Sequence, residues 1–106
     1  MPNLLFVCSK NQWRSPTAEL LFKNHTQHIA RSAGTSDKAR VKVSKKLIDW
    51  ADVIFVMERR HRQILTSFFP LAIAQKSIIV LDIADDYRLN DPELIDMLQL
   101  SLADYL

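Results

Sequence analysis

Three apolar runs without alternation, Leu4-Leu5-Phe6-Val7, Val53 to Met57 and Ile78 to Leu81, are each bounded by polar or charged residues. Such runs predict strands buried on both faces of a parallel sheet. Ile29 to Ala33 reads as one more short strand, ending at Gly34, the single glycine of the chain. Helical patterns fill the intervals. Ser15-Pro16, a capping residue followed by proline at the first helical position, predicts a helix from Pro16 to about Asn24 that carries Ala18, Leu20, Leu21 and Phe22. Ser44 to Trp50 is amphipathic and reads as a second helix. Glu58 to Phe68 reads as a third, with Ile64, Leu65 and Phe68 inward and Pro70 just past its end. Asp91-Pro92 opens a last helix bearing Leu94, Ile95, Leu98 and Leu102.

Four strands alternating with four helices predict an α/β fold, a three-layer α/β/α sandwich around a four-stranded parallel sheet with right-handed crossovers. In such sheets a ligand binds beyond the carboxyl ends of the strands, where the strand order reverses. Cys8, Gly34, Glu58 and the loop Asp82 to Asp86 all fall at strand ends. Gly34 is expected to supply a backbone angle that other residues resist.

Composition narrows the picture without redirecting it. The 106 residues fit one domain, residues 1–106. A hydrophobic fraction of 48% with 25% charged residues is that of an ordinary globular protein and excludes disorder. A formal charge of +2 does not by itself call for a nucleic-acid or membrane partner, and no apolar stretch approaches the ~20 residues of a membrane span. One cysteine cannot form an internal disulfide, and no charged-then-apolar leader precedes the first strand, so a cytoplasmic protein is expected. His25, His28 and His61 lack ligand spacing with one another or with Cys8, so no metal is expected. The run Arg59, Arg60, His61, Arg62 reads as a solvated surface at a helix start, and Trp50 as core.

The chemistry concentrates in CSKNQWRSP, residues 8–16: a thiol at the end of a strand, an arginine six residues later, and a helix that starts at once. A helix start offers unpaired N–H groups and a partial positive charge, so the loop Ser9, Lys10, Asn11, Gln12, Trp13 can wrap a tetrahedral oxyanion such as phosphate. Arg14 adds a planar fork of donors that grips two oxygens and follows them as charge redistributes. Thiols in such a field ionise more readily than the ~8.5 of a free cysteine, and the thiolate is the attacking form. Ser15 can donate a hydrogen bond to the sulfur. Asn11 is one of the few residues other than glycine that tolerates a positive φ.

These residues resemble the signature of the low-molecular-weight protein tyrosine phosphatases, Cys-x5-Arg followed by Ser-Pro. The likeness includes Val7-Cys8, Asn11, Arg14-Ser15-Pro16, Ala18-Glu19 and Ser32-Ala33-Gly34-Thr35. It extends to the strand Val53 to Met57 and to Asp85-Asp86-Tyr87, which is similar to the family's Asp-Pro-Tyr acid loop. The chain is a short example, reduced chiefly between Thr35 and Asp52. The resemblance implies a flavodoxin-like topology and a two-step phosphomonoester hydrolysis needing no cofactor. Cys8 attacks phosphorus to form a phosphocysteine while Asp85 protonates the departing oxygen. Asp85 then deprotonates the water that hydrolyses the intermediate. Asp86 and Asp82 stand near as alternative acids, and Asp86 and Tyr87 as substrate contacts. The substrate would be a phosphotyrosine protein or a small phosphomonoester.

Three positions depart from the family pattern: Lys10 replaces a glycine, Trp13 a frequent second cysteine, and Asp86 the proline of the acid loop. Two other functions share the anion loop. Arsenate reduction needs resolving cysteines, and the chain has only Cys8. A non-catalytic module binding a phosphorylated protein or a nucleic acid would use the same loop with Lys10, Lys38, Arg40 and Arg59 to Arg62.

Overall fold

Leu4, Leu5, Phe6 and Val7 are fully buried, as a strand must be when it has neighbours on both edges and helices over both faces. In the computed structural model, which describes residues 2–106, they lie in β1 (Asn3–Cys8). It is followed by α1 (Arg14–Leu21), β2 (Ile29–Gly34), α2 (Lys45–Trp50), β3 (Val53–Val56), α3 (Arg59–Phe68), α4 (Pro70–Ala74), β4 (Ser77–Val80) and α5 (Pro92–Leu102). The strands form one parallel sheet in the order β2-β1-β3-β4. The register sets Cys8 opposite Gly34 and Val7 opposite Val56, so the chain leaves β1, β2 and β3 at one end of the sheet. The strand order reverses at β1, where the crevice for a ligand opens.

Alternation along the strands sorts the core into two layers. Leu4, Phe6 and Phe55 face one side, where Ala18 of α1 and Leu94, Leu98 and Leu102 of α5 cover them. Phe6 stacks between Phe55 and Phe22, with ring centroids 5.3 and 5.8 Å away. Leu5, Val7, Ile54 and Val56 face the other side, under Ile48 of α2, Leu65 of α3 and Ile73 of α4. This is the expected three-layer α/β/α sandwich.

Four local readings are corrected. There are five helices among the described residues: Pro70 does not merely follow α3 but opens α4, where its fixed φ suits the first turn. Phe68 is 75% exposed, and Phe69 packs on the core instead, because it lies one turn beyond the buried Leu65. Helix α1 begins at Arg14, two residues before Pro16, with Trp13 at the cap position and no side chain capping it. Gly34 does not have a positive φ. Its lack of a side chain serves close packing: a Cβ there would stand 2.5 Å from the Ser9 carbonyl oxygen and 3.0 Å from the Asn11 amide nitrogen. The end of β2 thus presses directly on the back of the loop that follows β1.

Candidate active site

The loop from Cys8 to Arg14 contains no glycine, and Asn11 alone in it takes the left-handed conformation, at φ 55°. Lys10, where the family pattern has glycine, needs no such angle. The chain after β2 holds the loop from behind. Cys8 O accepts from the Thr35 N–H at 3.0 Å, Ser9 O from Ser36 at 2.9 Å and Lys10 O from Arg40 at 3.0 Å. Asn11 O accepts from Arg40 Nε at 3.2 Å. In a trans peptide the N–H of the next residue points opposite to the carbonyl. Four carbonyls drawn outward therefore turn the amides of Ser9, Lys10, Asn11 and Gln12 toward the strand end, and the Asn11 N–H donates to Cys8 Sγ at 3.3 Å.

Beginning α1 at Arg14 brings Ser15 inside the helix, so its hydroxyl serves the sulfur and not a cap. Asn11 Nδ2 donates to Ser15 Oγ at 2.8 Å, which leaves the single hydroxyl proton to be given elsewhere. Cys8 Sγ lies at 2.9 Å and the Ala33 carbonyl at 3.4 Å, so the sulfur is the better-placed acceptor.

Arg14 is 2% exposed. Its Nη1 donates to Glu58 Oε2 at 2.7 Å and to the Ile83 carbonyl at 2.8 Å, and Nε faces Asp85 Oδ1 at 3.5 Å. The pinned Nη1 sets the plane of the guanidinium and leaves its Nε–Nη2 edge, the edge that suits two oxygens of a tetrahedral anion, toward the cleft. Glu58 sits just past β3 at the cap position of α3 and also accepts from Arg60 at 2.9 Å. Desolvation works to raise its carboxyl, but the hydrogen bonds and charges of Arg14 and Arg60 outweigh that and hold it below the usual range.

His61, buried among the helix and loop, completes the support. Its Nδ1 accepts from the Glu58 N–H at 3.1 Å. The ring proton of the neutral form therefore resides on Nε2, which donates to Ser9 Oγ at 2.9 Å. Burial, with the nearby Arg14 and Arg60, lowers its pKa from 6.5 to about 4, so at neutral pH it is an uncharged donor to the loop.

Cys8, Ser9, Lys10, Gln12, Trp13, Arg14, Arg60 and Asp85 line a cleft of about 230 Å³. Of the expected site residues, Asn11 and Ser15 lie buried beneath it, acting on the sulfur from below. Asp85 is the acid-loop carboxylate in the cleft. Asp82 turns away, at φ 56°, to a separate groove beside β4, and Asp86 is exposed and does not line the cleft. Tyr87 does not line the cleft: its hydroxyl donates to Met97 Sδ at 2.9 Å and its ring packs on the α1–α5 side of the core. The acid loop is tied down at both ends, by Arg14 on Ile83 and by the Asn90 N–H on Thr17 Oγ1 at 3.0 Å.

Glu58 was expected only at a strand end, Arg40 only in a non-catalytic module, and His61 in a solvated run, whereas it is buried. For His61 a signal existed: residues 61, 65 and 69 follow the helical spacing of the apolar face, and Glu58-x-x-His61 makes a capping box. No local pattern ties Glu58 to Arg14, 44 residues away, or Arg40 to Asn11, 29 residues away.

Residues 3–48, which hold the anion loop, α1, β2 and the segment behind the loop, match the family model described as low molecular weight phosphotyrosine protein phosphatase. No curated protein sequence matches the chain significantly. Among solved structures, the tyrosine phosphatase Wzb from Escherichia coli K30, in complex with phosphate, is similar with a TM-score of 0.77 at 21% identity, covering 99% of this chain and 96% of that one. SP-PTP, a low molecular weight protein tyrosine phosphatase from Streptococcus pyogenes, gives 0.76 at 19% identity over 100% and 94%. The YwlE arginine phosphatase from Geobacillus stearothermophilus gives 0.70 at 23% identity over 98% and 85%. Over residues 3–48 the chain is similar to the low molecular weight phosphotyrosine protein phosphatase family, and over its whole length it shares the fold of these solved structures.

Proposed function

We propose that the protein, acting as one catalytic unit, hydrolyses phosphomonoesters through a phosphocysteine on Cys8. The observation that carries this reading is the convergence on Cys8 Sγ of the Ser15 hydroxyl and the Asn11 amide, at the floor of a cleft whose wall includes the Arg14 guanidinium. In the first step the sulfur attacks phosphorus, the ester P–O bond breaks, and Asp85 gives its proton to the departing oxygen. In the second, Asp85 takes a proton from water, the water oxygen attacks phosphorus, and the S–P bond breaks to release phosphate and the thiolate. The amides of the loop and Arg14 hold the equatorial oxygens through both steps.

Trp13 and Gln12 flank the mouth and are placed to contact an aromatic leaving group. Phosphotyrosine or a comparable aryl phosphate is the substrate class that this wall accommodates. Solved relatives carry the names of tyrosine and arginine phosphatases, so the leaving atom is a matter for the substrate and not for the fold. No helix among the described residues is long and apolar enough to cross a membrane. A lone nucleophilic thiol with no second cysteine to protect it favours a reducing compartment, the cytoplasm.

The test is the Cys8→Ser protein. It is expected to lose hydrolysis of para-nitrophenyl phosphate by more than about 10³-fold, the scale seen when a covalent nucleophile is removed, while inorganic phosphate still binds. The parent protein, quenched during turnover, should carry one phosphoryl group on Cys8 by mass spectrometry. Turnover that survives in Cys8→Ser excludes the mechanism.

A further inference from the structure

A second concavity lies apart from the Cys8 cleft. A groove of about 930 Å³ runs along β4, between the strand and the exposed face of α3, with Tyr105 at its margin. Strand β4 pairs with β3 alone, so its other edge is open. The Leu81 N–H donates inward to Val56 O. Because successive residues alternate along a strand, Ile79 turns its main-chain groups inward as well, and Ile78 and Val80 present theirs to the groove. Free edges are ordinarily blunted by charge, proline or a covering element. This one is flanked by the cations Arg59 and Arg62, with Asp82 the one carboxylate of the lining.

The groove is linked to the candidate active site by shared lining residues. Arg59 and Asp82 belong both to it and to a smaller depression that also includes Glu58, Arg60 and Ala84. Arg60 in turn lines the Cys8 cleft. A path therefore runs from the edge of β4, past Arg59 and Arg60, to the sulfur. Arg62, Arg59 and Arg60 lie along it, with the carboxylates of Asp82, Glu58 and Asp85 between them, and a strand added at an open edge gains main-chain hydrogen bonds whatever its sequence.

From these relationships we propose that the groove takes an extended, acidic segment of a phosphorylated protein, paired with the free edge of β4, whose phosphorylated side chain reaches the Cys8 cleft. This rests on the phosphatase reading and adds to it a recognition site for the residues flanking the phosphorylated one. Arg59 and Arg62 are exposed and take no part in the cleft, so they act on affinity for the segment and not on the chemistry.

The experiment uses the full chain with Cys8→Ser, a fluorescent phosphotyrosine peptide with aspartates on both sides, and a matched peptide with lysines in their place. The aspartate peptide is expected to bind more tightly. Arg59→Glu together with Arg62→Glu should weaken it by roughly fivefold or more, the scale for losing two exposed charge pairs and gaining repulsion, and Arg62→Gln should do so in part. In the parent background the same substitutions leave para-nitrophenyl phosphate turnover unchanged. Hydrogen exchange at Ile78 and Val80 should slow when the aspartate peptide binds. Equal affinity of variant and parent overturns the proposal, as does unchanged exchange at those two amides. So does a dimer in sedimentation that protects them without peptide, since the occupant is then a second copy of the chain. Failure of para-nitrophenyl phosphate hydrolysis in every protein, with peptide binding still dependent on Arg59 and Arg62, would refute the catalytic reading and leave the groove assignment standing.

Discussion

Arg14 and Glu58 are 44 residues apart in the chain and meet at 2.7 Å. The guanidinium is almost wholly buried, the carboxylate 30% exposed, and the same carboxylate oxygen also accepts from Arg60 at 2.9 Å. One oxygen from the residue just past β3 thus sets the plane of the guanidinium at the start of α1. Without it, Arg14 would be a buried cation compensated by the Ile83 carbonyl and the more distant Asp85.

Glu58→Gln keeps the shape of that contact and removes its charge. Breaking one partner of a buried, hydrogen-bonded ion pair costs up to about 3 kcal/mol, less where one partner is partly solvated as here. We expect a loss near the lower part of that range in urea unfolding, a higher KM for para-nitrophenyl phosphate, and weaker competition by inorganic phosphate. Because the Glu58 carboxyl is held below its ordinary 4.5 in the folded protein, its stabilisation is present above that pH and fades as pH falls through the folded value. The variant should lose that part of the acid sensitivity. Unchanged KM and stability would mean that Ile83 alone positions Arg14.

Asp85 is the acid-loop carboxylate that both lines the cleft and faces Arg14. General acid catalysis contributes about 10²-fold or more. Asp85→Asn should therefore slow turnover by at least that factor with alkyl phosphates, whose leaving groups need a proton, and by less with para-nitrophenyl phosphate. Asp86→Asn, exposed and outside the cleft, should stay close to the parent. A larger loss in Asp86→Asn would move the acid to that position.

His61 offers a pH signature. Its pKa falls from 6.5 to about 4 on folding, so the unfolded chain binds the proton more tightly than the folded one. The stabilisation from keeping the ring neutral is complete above 6.5 and declines as pH drops toward 4, by on the order of 3 kcal/mol across the window. His61→Gln, which can still donate to Ser9, should flatten the stability profile between those values in thermal melts while retaining much of the activity. His61→Leu should flatten it too but loosen Ser9 and lower turnover. A slope as steep in His61→Gln as in the parent would assign the dependence to other groups.

The layer arrangement was legible before any coordinates because strands buried on both faces leave unbroken apolar runs, as at Leu4 to Val7 and Val53 to Met57. The anion loop was legible because Cys8, Asn11, Arg14 and Ser15 act within one short segment, where spacing and geometry are nearly the same thing. Helix starts were less so. Ser15-Pro16 carries a good capping pattern, yet α1 begins at Arg14, since contact of Ser15 with Cys8 and Asn11 prevails over local capping preference. Gly34 was recognised as special for the wrong reason: the constraint is the Ser9 carbonyl 2.5 Å from where its Cβ would be, a contact made across two strands.

The amino-acid sequence on its own determined the class of sheet and the turn that gathers Cys8, Asn11, Arg14 and Ser15, because each depends on residues near one another in the chain. Tertiary structure decided how that turn is braced. Glu58 against Arg14, His61 against Ser9, Arg40 against Asn11 and the placement of Asp85, and not Asp82 or Asp86, in the cleft all depend on where distant strand ends are brought together, and a hydrogen bond of about 3 Å has no trace in the spacing of residues dozens of positions apart.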